Sequence, residues 1–494
     1  MGEKALRTAI ISDSWGYGLM ETKPHPLMLV RYGAIRNKAL LVPDYGAMYI
    51  AAFLQGHGVE FGVLNLVAGV FTEEEWFREA EPGLDEDGQT TAPIGGEEAL
   101  RRMRDHLEES LKRLQPEVLF FPISIYYVAL HAREMLKHIK EMMPDTMLVT
   151  GGIYSTMHPR EIMEDGAADF VVRGEGEWTA WELVRALEKG EHDFSRIPGL
   201  TWRDGDGRVI HNRDREREKD LDRFPHIYTV SPQFKIGERH RLLKSLNPFD
   251  DYIPGSGFLT SRGCPEQCTF CLDPAVWKRK TRFHSPAYVR GVLDYCWKNF
   301  TAGDRSFYFG DATFALNRPR LVSLLGETRE VPYTYHIQTR VDSLTPEVLK
   351  GLQESNFGTV ALGAESFDDR ILREVVKKRT TREEILGAVR AVRSHGLTPI
   401  LTFIAGLPGE SRESHERTVD ILRKERITEA TFFPLVVFRG TELYEQFMRT
   451  YPEAEREKLR LNRWSEEFCF VNEEFTSMQE LIEYTQYLND SIRQ

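Results

Sequence analysis

Three of the five cysteines in this 494-residue chain lie within eight positions, at Cys264, Cys268 and Cys271. Thiolates spaced C-x3-C-x2-C can share one soft metal centre, which is either tetrahedral zinc or an iron–sulfur cluster. Zinc usually takes cysteines as C-x2-C pairs and completes its tetrahedron with a fourth Cys or His, and the chain has no second pair. Three structural cysteines are the remaining alternative, although free cysteines rarely cluster without a chemical reason. The loop therefore predicts a four-iron cluster held by three thiolates, with one iron open to a reacting ligand.

The composition limits where such a centre can work and what it can bind. A chain of this length is too long for one ordinary core, so two or three domains are expected. A net charge of −12 argues against a nucleic-acid partner. The most apolar run, around residues 118–130, is interrupted by Pro122 and is too short to span a bilayer. Only Cys296 and Cys469 remain for other roles, so we expect no disulfide framework and a cytoplasmic location.

Short apolar strands alternate with segments of helical spacing over the first 192 residues. This alternation predicts an α/β fold with a doubly wound, Rossmann-like sheet of parallel strands. Sheets of this kind bind ligands in the crevice beyond the carboxyl ends of their strands. The residues at those ends are Asp13, Ser124, Gly151, Gly152 and the turn Gly174-Glu175-Gly176-Glu177.

Strand and helix also alternate after the cysteine loop, and polar residues follow successive strands. The pattern predicts a partial (β/α)6 barrel of the TIM type, in which functional groups lie at the carboxyl ends of the strands. An Asp-Gly turn between residues 200–202 and 209–210 predicts a hairpin before the barrel. We expect four parts, which are the N-terminal sheet domain at 1–192, a connecting segment at 193–250, the barrel at 251–445 and a helical C-terminal cap at 446–494.

The cysteine spacing, with the aromatic Phe270 before the last cysteine, resembles the signature of the radical S-adenosylmethionine (SAM) superfamily. In that family the open iron chelates the amino and carboxylate groups of SAM, and the cluster delivers the electron that cleaves SAM to a 5′-deoxyadenosyl radical. Several later elements resemble the family's SAM site in the same order along the chain. The resemblance implies SAM contacts at Phe270, Gly310, Asp311, Arg340, Glu365, Ser366 and Gly406, and Lys377 resembles the basic residue that follows the family's G-x-E-S element.

The N-terminal sheet resembles the cobalamin-binding domain that precedes the radical domain in a large subfamily. There the first strand is followed by D-x-H-x-x-G, whose His can ligate cobalt, and this chain has Trp15 at the His position. Two options stay open: cobalamin binds without that ligand, or the domain has kept only its architecture. The resemblance implies corrinoid contacts at Asp13, Trp15, Gly18, Ser124, Tyr126, Gly151, Gly152, Gly174 and Glu175.

Three classes of function follow from the two resemblances. The first is a cobalamin-dependent radical SAM methyltransferase that methylates an unactivated carbon of a small molecule, lipid or natural product. The second keeps the radical without methyl transfer and leads to cyclisation, carbon–carbon coupling, reduction or rearrangement. The third is a non-catalytic iron–sulfur scaffold, which has no use for a SAM site. Either enzyme needs a [4Fe–4S] cluster, SAM and an external electron donor of the flavodoxin or ferredoxin type.

Overall fold

The computed structural model describes residues 6–11, 45–64, 97–123, 129–232, 257–300, 306–460 and 467–493. These residues form two mostly parallel sheets with helices packed on them, one sheet from the first 211 residues and one from residues 257–434. The α/β fold class expected from the alternation of strands and helices is confirmed.

The strands of the N-terminal sheet, within the described ranges, are β1 (Thr8–Ile11), β2 (Phe61–Leu64), β3 (Val118–Pro122), β4 (Met147–Gly151), β5 (Phe170–Val172), β6 (Leu200–Arg203) and β7 (Val209–His211). Their spatial order is β2-β1-β3-β4-β5-β6-β7, and β1 to β5 are parallel. The first four residues of β3 are buried, because a parallel strand between two helical layers has no face towards water. The predicted hairpin forms β6 and β7, which continue the sheet past residue 192 as antiparallel strands.

Helices connect these strands and cover both faces of the sheet. Their stability comes from apolar stripes that pack on the strands, since single turns of helix are marginal in water. The helix after β4 is short and begins directly at the Gly151-Gly152 turn. The helices are α1 (Tyr45–Gly56), α2 (Glu97–Leu114), α3 (Ala129–Met142), α4 (Ile153–Met157), α5 (Pro159–Glu164) and α6 (Glu177–Glu188).

The strands that follow are β8 (Gly257–Phe258), β9 (Ser261–Arg262), β10 (Arg282–Phe283), β11 (Ser306–Phe309), β12 (Thr334–Thr339), β13 (Phe357–Glu365), β14 (Thr398–Ala405), β15 (Ala430–Pro434), β16 (Val436–Val437) and β17 (Phe468–Cys469). Six of them form a parallel sheet of order β15-β14-β13-β12-β11-β8. Chain order and spatial order agree, as in a TIM-type barrel that does not close. The predicted partial barrel is confirmed.

Most helices of this half connect one strand to the next, and the last of them, α15, follows the last strand. They are α7 (Asp273–Trp277), α8 (Pro286–Phe300), α9 (Arg318–Arg329), α10 (Pro346–Glu354), α11 (Arg382–Ser394), α12 (Arg412–Lys424), α13 (Glu442–Thr450), α14 (Glu453–Arg456) and α15 (Met478–Arg493). Ile371–Val376 forms a short π-helix after β13. In the ranges that the structure describes, no helix has both the length and the apolar character needed to cross a membrane.

The C-terminal helix α15 covers the edge strand of the barrel sheet. The Asn489 amide accepts a hydrogen bond from the backbone N–H of Phe432 at 2.7 Å and donates one to the Phe432 carbonyl at 3.1 Å. The side chain thus takes the place of a neighbouring strand and satisfies an edge that would otherwise be open to pairing. The expected helical cap therefore packs on the side of β15, and residues 470–472 extend it to the loop after β14.

Candidate active site between the two sheets

The cysteine loop leaves β9 and returns through α7 to β10, which pairs antiparallel with β9. Cys264, Cys268 and Cys271 are partly buried free thiols. Burial raises the pKa of Cys268 to about 11 and the pKa of Cys271 to about 12. Since thiolates and not thiols bind metals, a cationic centre has to supply the charge that keeps these groups ionised.

Gly263 lets the strand approach the returning chain closely. Its φ of 91° lies in the left-handed region, and a Cβ built there would overlap the carbonyl oxygen of Lys280. Any larger residue would push β9 and the returning segment apart. The position of Cys264, the next residue, therefore depends on this glycine.

A cavity of about 560 Å³ lies between the carboxyl ends of the N-terminal strands and the cysteine loop. Apolar side chains from β1, β3, β4 and β5 form one wall, together with the Gly151-Gly152 turn. Gly263, Asp273 and Trp277 form part of the opposite wall. Each sheet of the molecule thus contributes its ligand-binding end to the same space, which agrees with the crevice rule for open α/β sheets.

Two glycine turns on the N-terminal side are held together by one hydroxyl group. Thr156 donates a hydrogen bond to the Gly152 carbonyl at 2.8 Å and accepts one from the Gly174 N–H at 2.9 Å. Gly152 and Gly174 have φ of 101° and 73°. A Cβ on Gly174 would meet nothing within 4 Å, so this turn presents bare backbone to open space.

Glu175 lines the cavity, but its carboxylate is engaged by two arginines of the barrel half. Arg282 donates to Glu175 at 2.8 and 2.5 Å, and Arg262 donates at 3.2 Å. Arg262 Nη2 also lies 2.7 Å from Glu177 Oε1, at an angle unsuited to a hydrogen bond. We call these four residues the arginine–glutamate lock, because they join the Gly-Glu-Gly-Glu turn to the strand that enters the cysteine loop.

The lock is almost entirely shielded from water. The side chains of Arg262 and Glu177 are 5% and 4% exposed. The Arg262 guanidinium also lies over the rings of Tyr49 and Phe224, at 4.4 and 4.8 Å from their centroids. Burial would raise the pKa of Glu175, but the hydrogen bond from Arg282 and the charge of Arg262 hold it below its ordinary value. Both carboxylates are therefore paired charges committed to the contact between the two sheets.

A second contact between the two halves lies at the turn after β16. Arg439 Nη1 is 3.0 Å from Nδ1 of His158 and also pairs with Glu161. His158 is 1% exposed and stacks on Tyr154 with 4.3 Å between ring centroids. Burial lowers the pKa of His158 to about 4, so the ring is neutral at physiological pH and can accept from Arg439.

Asp311, at the end of β11, is fully buried and faces the start of β9. It accepts hydrogen bonds from the Thr260 N–H at 3.2 Å, from the Thr260 hydroxyl at 3.0 Å and from the Ser261 hydroxyl. Burial raises the pKa of Asp311 above its ordinary value, although these bonds oppose the shift. In this arrangement the carboxylate fixes the residues before the cysteine loop, while the neighbouring Gly310 lines the cavity.

Glu365, at the end of β13, pairs with a buried lysine. Lys378 Nζ is 2.9 Å from Glu365 Oε1 and also donates to the Gly363 carbonyl. Glu365 itself has a φ of 63°, which is rare for a residue other than glycine. Lys377, the basic residue that the sequence favoured, is half-exposed and bonds to Glu442 instead. The buried partner of Glu365 is therefore Lys378, and the role that the resemblance implies for Lys377 stays a prediction.

The other predicted SAM contacts are held by neighbouring protein groups. Ser366 donates to Glu410 at 2.6 Å, and His415 lies 2.8 Å from the other oxygen of that carboxylate. A Cβ on Gly406 would meet Leu481 of the C-terminal cap at 3.0 Å. Arg340 donates to Asp342 at 2.9 and 2.7 Å and lies 3.6 Å from Glu266 of the cysteine loop, and Phe270 packs on the core.

Comparison with known proteins gives the family. The family model described as "Radical SAM superfamily" matches residues 258–422, and the model described as "B12 binding domain" matches residues 33–184. An uncharacterized methyltransferase of Pyrococcus horikoshii is 30% identical over 344 residues, which cover 68% of this chain and 70% of that protein. The chain belongs to the radical SAM superfamily. The match to the B12-binding model places the chain among the members of the superfamily that carry such a domain.

Two further relatives extend the comparison. The anaerobic magnesium-protoporphyrin IX monomethyl ester cyclase of Rubrivivax gelatinosus is 28% identical over 65% of this chain, which spans only 56% of the cyclase. The radical SAM methyltransferase TsrM of Kitasatospora setae, solved with cobalamin and a [4Fe–4S] cluster, covers 93% of this chain and is matched over 80% of its own length, with a TM-score of 0.64. At 17% identity this second likeness is one of fold.

The radical SAM family implies a [4Fe–4S] cluster and SAM, and the B12-binding domain implies cobalamin. The donor set fits the cluster, since three soft thiols share one loop beside the cavity. No three Cys, His, Asp or Glu side chains of the described residues converge as the ligands of a single ion do. The N-terminal wall fits the approach of a large ring, because bare glycine backbone and aliphatic side chains line it.

Several of the predicted corrinoid contacts lie outside the described residues, namely Asp13, Trp15, Gly18, Ser124 and Tyr126. The roles assigned to them, including the replacement of a histidine by Trp15, stay predictions. Gly151, Gly152, Gly174 and Glu175 all line the cavity.

Sequence reasoning missed four residues that organise this radical SAM site: Thr156, Arg262, Trp277 and Lys378. For Arg262 a signal existed, because a charged residue directly before Gly263 and Cys264 is a candidate for fixing the loop. For Thr156 and Trp277 the sequence offers no spacing that points to the cavity. Lys378 could be separated from Lys377 only by knowing that the π-helix ends at Val376.

Proposed function

We propose that this protein is a cobalamin-dependent radical SAM methyltransferase that methylates an unactivated carbon of a small molecule, lipid or natural product. The observation that carries the proposal is the shared cavity. The glycine turns of the B12-binding sheet and the cysteine loop face each other across it, with Gly152 on one side and Gly263 on the other. A carbon placed between them can meet both a radical source and a methyl donor. Relatives named as methyltransferases support the same reading.

When bound, the cluster with SAM supplies a 5′-deoxyadenosyl radical, and the corrinoid supplies a methyl group. The protein's part is to bind, to orient and to keep water out. Ile10, Val149 and Val172 form an aliphatic wall that offers water no hydrogen-bond partners, which favours exclusion of water from that side of the cavity. The arginine–glutamate lock fixes the distance between the two cofactor sites, because its charges have no alternative solvation in the interior.

The SAM contacts within the barrel are part of the same proposal. Gly310 borders the cavity, and Glu365 with Lys378 gives a carboxylate and an ammonium near Cys268, as the charges acting on that thiol indicate. Asp311 is proposed as the acceptor for the SAM ammonium, for which it would exchange a hydrogen bond from Thr260 or Ser261. A charged acceptor is needed there, because an ammonium that leaves water requires one.

The test is anaerobic purification followed by incubation with SAM, a chemical reductant and cobalamin. We expect iron and sulfide in a cluster, a bound corrinoid and the formation of 5′-deoxyadenosine. With the cognate substrate, S-adenosylhomocysteine should form in parallel. Replacing Cys264, Cys268 or Cys271 with Ala should abolish SAM cleavage. A purified protein that never retains a corrinoid would refute the methyltransferase, and cleavage that survives the cysteine replacements would refute radical chemistry as a whole.

A radical cyclisation or another reaction without methyl transfer is the second candidate. The observation that favours it is the similarity to the anaerobic magnesium-protoporphyrin IX monomethyl ester cyclase of Rubrivivax gelatinosus. This candidate predicts 5′-deoxyadenosine without S-adenosylhomocysteine. Comparing metabolites from cells with and without the active protein by mass spectrometry distinguishes the two, because methylation adds about 14 Da to the product.

A further inference from the structure

Three consecutive basic residues, Lys278, Arg279 and Lys280, follow helix α7 and are all exposed. We call them the basic turn. The chain as a whole carries a net charge of −12, so the basic turn is a local reversal of sign. Such a reversal attracts negatively charged partners and raises the rate at which they arrive.

The backbone of the basic turn is unusual for these residue types. Lys278 and Arg279 have φ of 50° and 57°, in the left-handed region that glycine and asparagine adopt more easily. A long basic side chain at each position costs backbone energy that a glycine would avoid. Their presence therefore points to a use for the side chains, which for Arg279 includes a contact with the cysteine loop.

The basic turn lies against the cluster-binding loop. Arg279 Nε donates to the carbonyl oxygen of Pro265 at 3.1 Å, and Pro265 is covalently joined to Cys264. The carbonyl of Lys280 packs over Gly263, on the other side of the same cysteine. The basic turn therefore contacts the residues on both sides of Cys264, the first cluster ligand.

The surrounding acids leave the basic turn positive. Asp214 lies 3.4 Å from Lys278, but both side chains are about two-thirds exposed, at 65% and 69%, and such pairs contribute little. Glu266 of the cysteine loop is directed towards Arg340 at 3.6 Å. Glu175 and Glu218 both contact Arg282, two residues after the turn, and their carboxylates are committed to Arg282, Arg262 and Arg223.

We propose that the basic turn is the docking site of an acidic one-electron carrier protein that reduces the cluster. The inference rests on the proposed function, because only a radical SAM enzyme needs this electron. In the step one electron leaves the carrier's redox group and enters the cluster held by Cys264, Cys268 and Cys271. The carrier is oxidised by one electron and the cluster is reduced by one, and no bond is made or broken. A small-molecule anion does not need a surface so close to the cluster loop, whereas electron transfer does.

The test uses the cluster-loaded protein with Lys278→Glu and Lys280→Glu combined, which leaves the Arg279 contact to the loop in place. The matched control combines Lys350→Glu and Lys424→Glu. These two exposed lysines lie in the middle of helix α10 and at the last residue of helix α12. Both variants change the net charge by the same amount. An acidic flavodoxin is the carrier, and dithionite is the chemical reductant that needs no docking.

We expect the basic-turn variant to cleave SAM with dithionite at the wild-type rate and to keep its cluster absorption. With flavodoxin its KM should rise about tenfold, with a weaker dependence on ionic strength, because steering by opposite charges is lost. Direct titration of oxidised flavodoxin onto the protein should show the same loss of affinity, and the control should behave as wild type. Wild-type affinity for flavodoxin in the variant, or an equal loss in the control, overturns the docking site. If SAM cleavage by the variant falls equally with dithionite and with flavodoxin, the docking site is also overturned, and the turn instead helps to hold the cluster. If the wild-type protein does not cleave SAM with dithionite, the proposed function is what fails.

Discussion

Replacing Arg262 with Met tests the arginine–glutamate lock most directly. The substitution removes the guanidinium but keeps an unbranched apolar side chain of similar length. Glu175 retains its two bonds from Arg282, at 2.8 and 2.5 Å. Glu177, which is 3% exposed, loses the cation that lies 2.7 Å away. The variant thus leaves one carboxylate buried without a partner charge among the described residues of the lock.

The magnitude follows from the burial of that carboxylate. Removing one partner of a buried ion pair costs about 3–5 kcal/mol, and the lost contacts with two aromatic rings add about 0.5–2 kcal/mol. For a unit the size of the N-terminal domain, about 1 kcal/mol corresponds to roughly 2–4 °C, so the ionic part alone should lower the Tm by about 6–20 °C. Replacing both Arg262 and Glu177 with Met removes the pair together and should recover most of that loss.

Scanning calorimetry of the two single variants and the double variant measures the coupling. Arg318→Met is the control, because its pair with Glu347 is exposed at 59% and 78% and should change stability by less than about 0.5 kcal/mol. Because the lock holds the N-terminal unit to the barrel, the unfolding transition of that unit should also lie further from the barrel transition in the Arg262 variant than in the wild type. A Tm loss under about 3 °C, or a double variant whose loss equals the sum of the single losses, would refute the reasoning.

Three smaller predictions concern other positions. Gly263→Ala should lower the iron content after reconstitution by several-fold, because its Cβ overlaps the returning backbone, whereas Gly291→Ala in helix α8 meets open space and should stabilise by about 0.5–1 kcal/mol. Lys378→Met should lower the free energy of unfolding in urea by about 3–5 kcal/mol, because it leaves the buried Glu365 carboxylate without its cation. The same change at the half-exposed Lys377 should cost under about 1 kcal/mol. Equal losses in the two variants would contradict Lys378 as the buried partner of Glu365. Burial lowers the pKa of His158 to about 4 from about 6.5, so the stability that the neutral ring contributes is complete above pH 6.5 and falls by about 2 kcal/mol at pH 5. The His158→Gln variant should therefore lose about 2 kcal/mol less stability than the wild type between pH 7.5 and pH 5. A pH dependence of stability equal to that of the wild type would contradict this prediction.

The architecture was accessible from the sequence because it depends on local signals. Alternating apolar periods separate strands from helices, and the Asp-Gly turn marks the β6–β7 hairpin. The cysteine spacing needs no tertiary information, since all three cysteines belong to one short segment of the chain. The position of the Gly151-Gly152 turn at the ligand-binding edge could also be predicted, because the two glycines follow a buried strand and open sheets bind ligands at the ends of such strands.

What the sequence could not supply was the partner of each charge. Glu175 reads as a cofactor contact because it lies in a glycine-rich turn, yet the arginines that engage it are 87 and 107 residues away. Asp311 likewise reads as a free acid at a strand end, but its hydrogen-bond donors lie 50 and 51 residues earlier. The first pairing is set by the packing of the two sheets and the second by packing within the barrel, and no local pattern encodes either. The same limit keeps the buried Lys378 from standing out beside Lys377 in the sequence, since one residue at the end of a π-helix decides which side chain turns inward.

The residues before the first cysteine explain how the protein places its cluster. Ser261 is fixed by Asp311 at the end of β11, Arg262 by Glu175 and Glu177 of the N-terminal sheet, and Gly263 by close contact with the basic turn. Three consecutive residues are thus tied to three different parts of the fold, and Cys264 follows directly. A movement of the B12-binding sheet relative to the barrel would pull on Arg262 and shift Cys264, which lies only two residues further along the chain. The separation between the two cofactor sites is therefore controlled at the cysteine loop itself, which is where a reaction that uses both cofactors on one carbon requires it to be controlled.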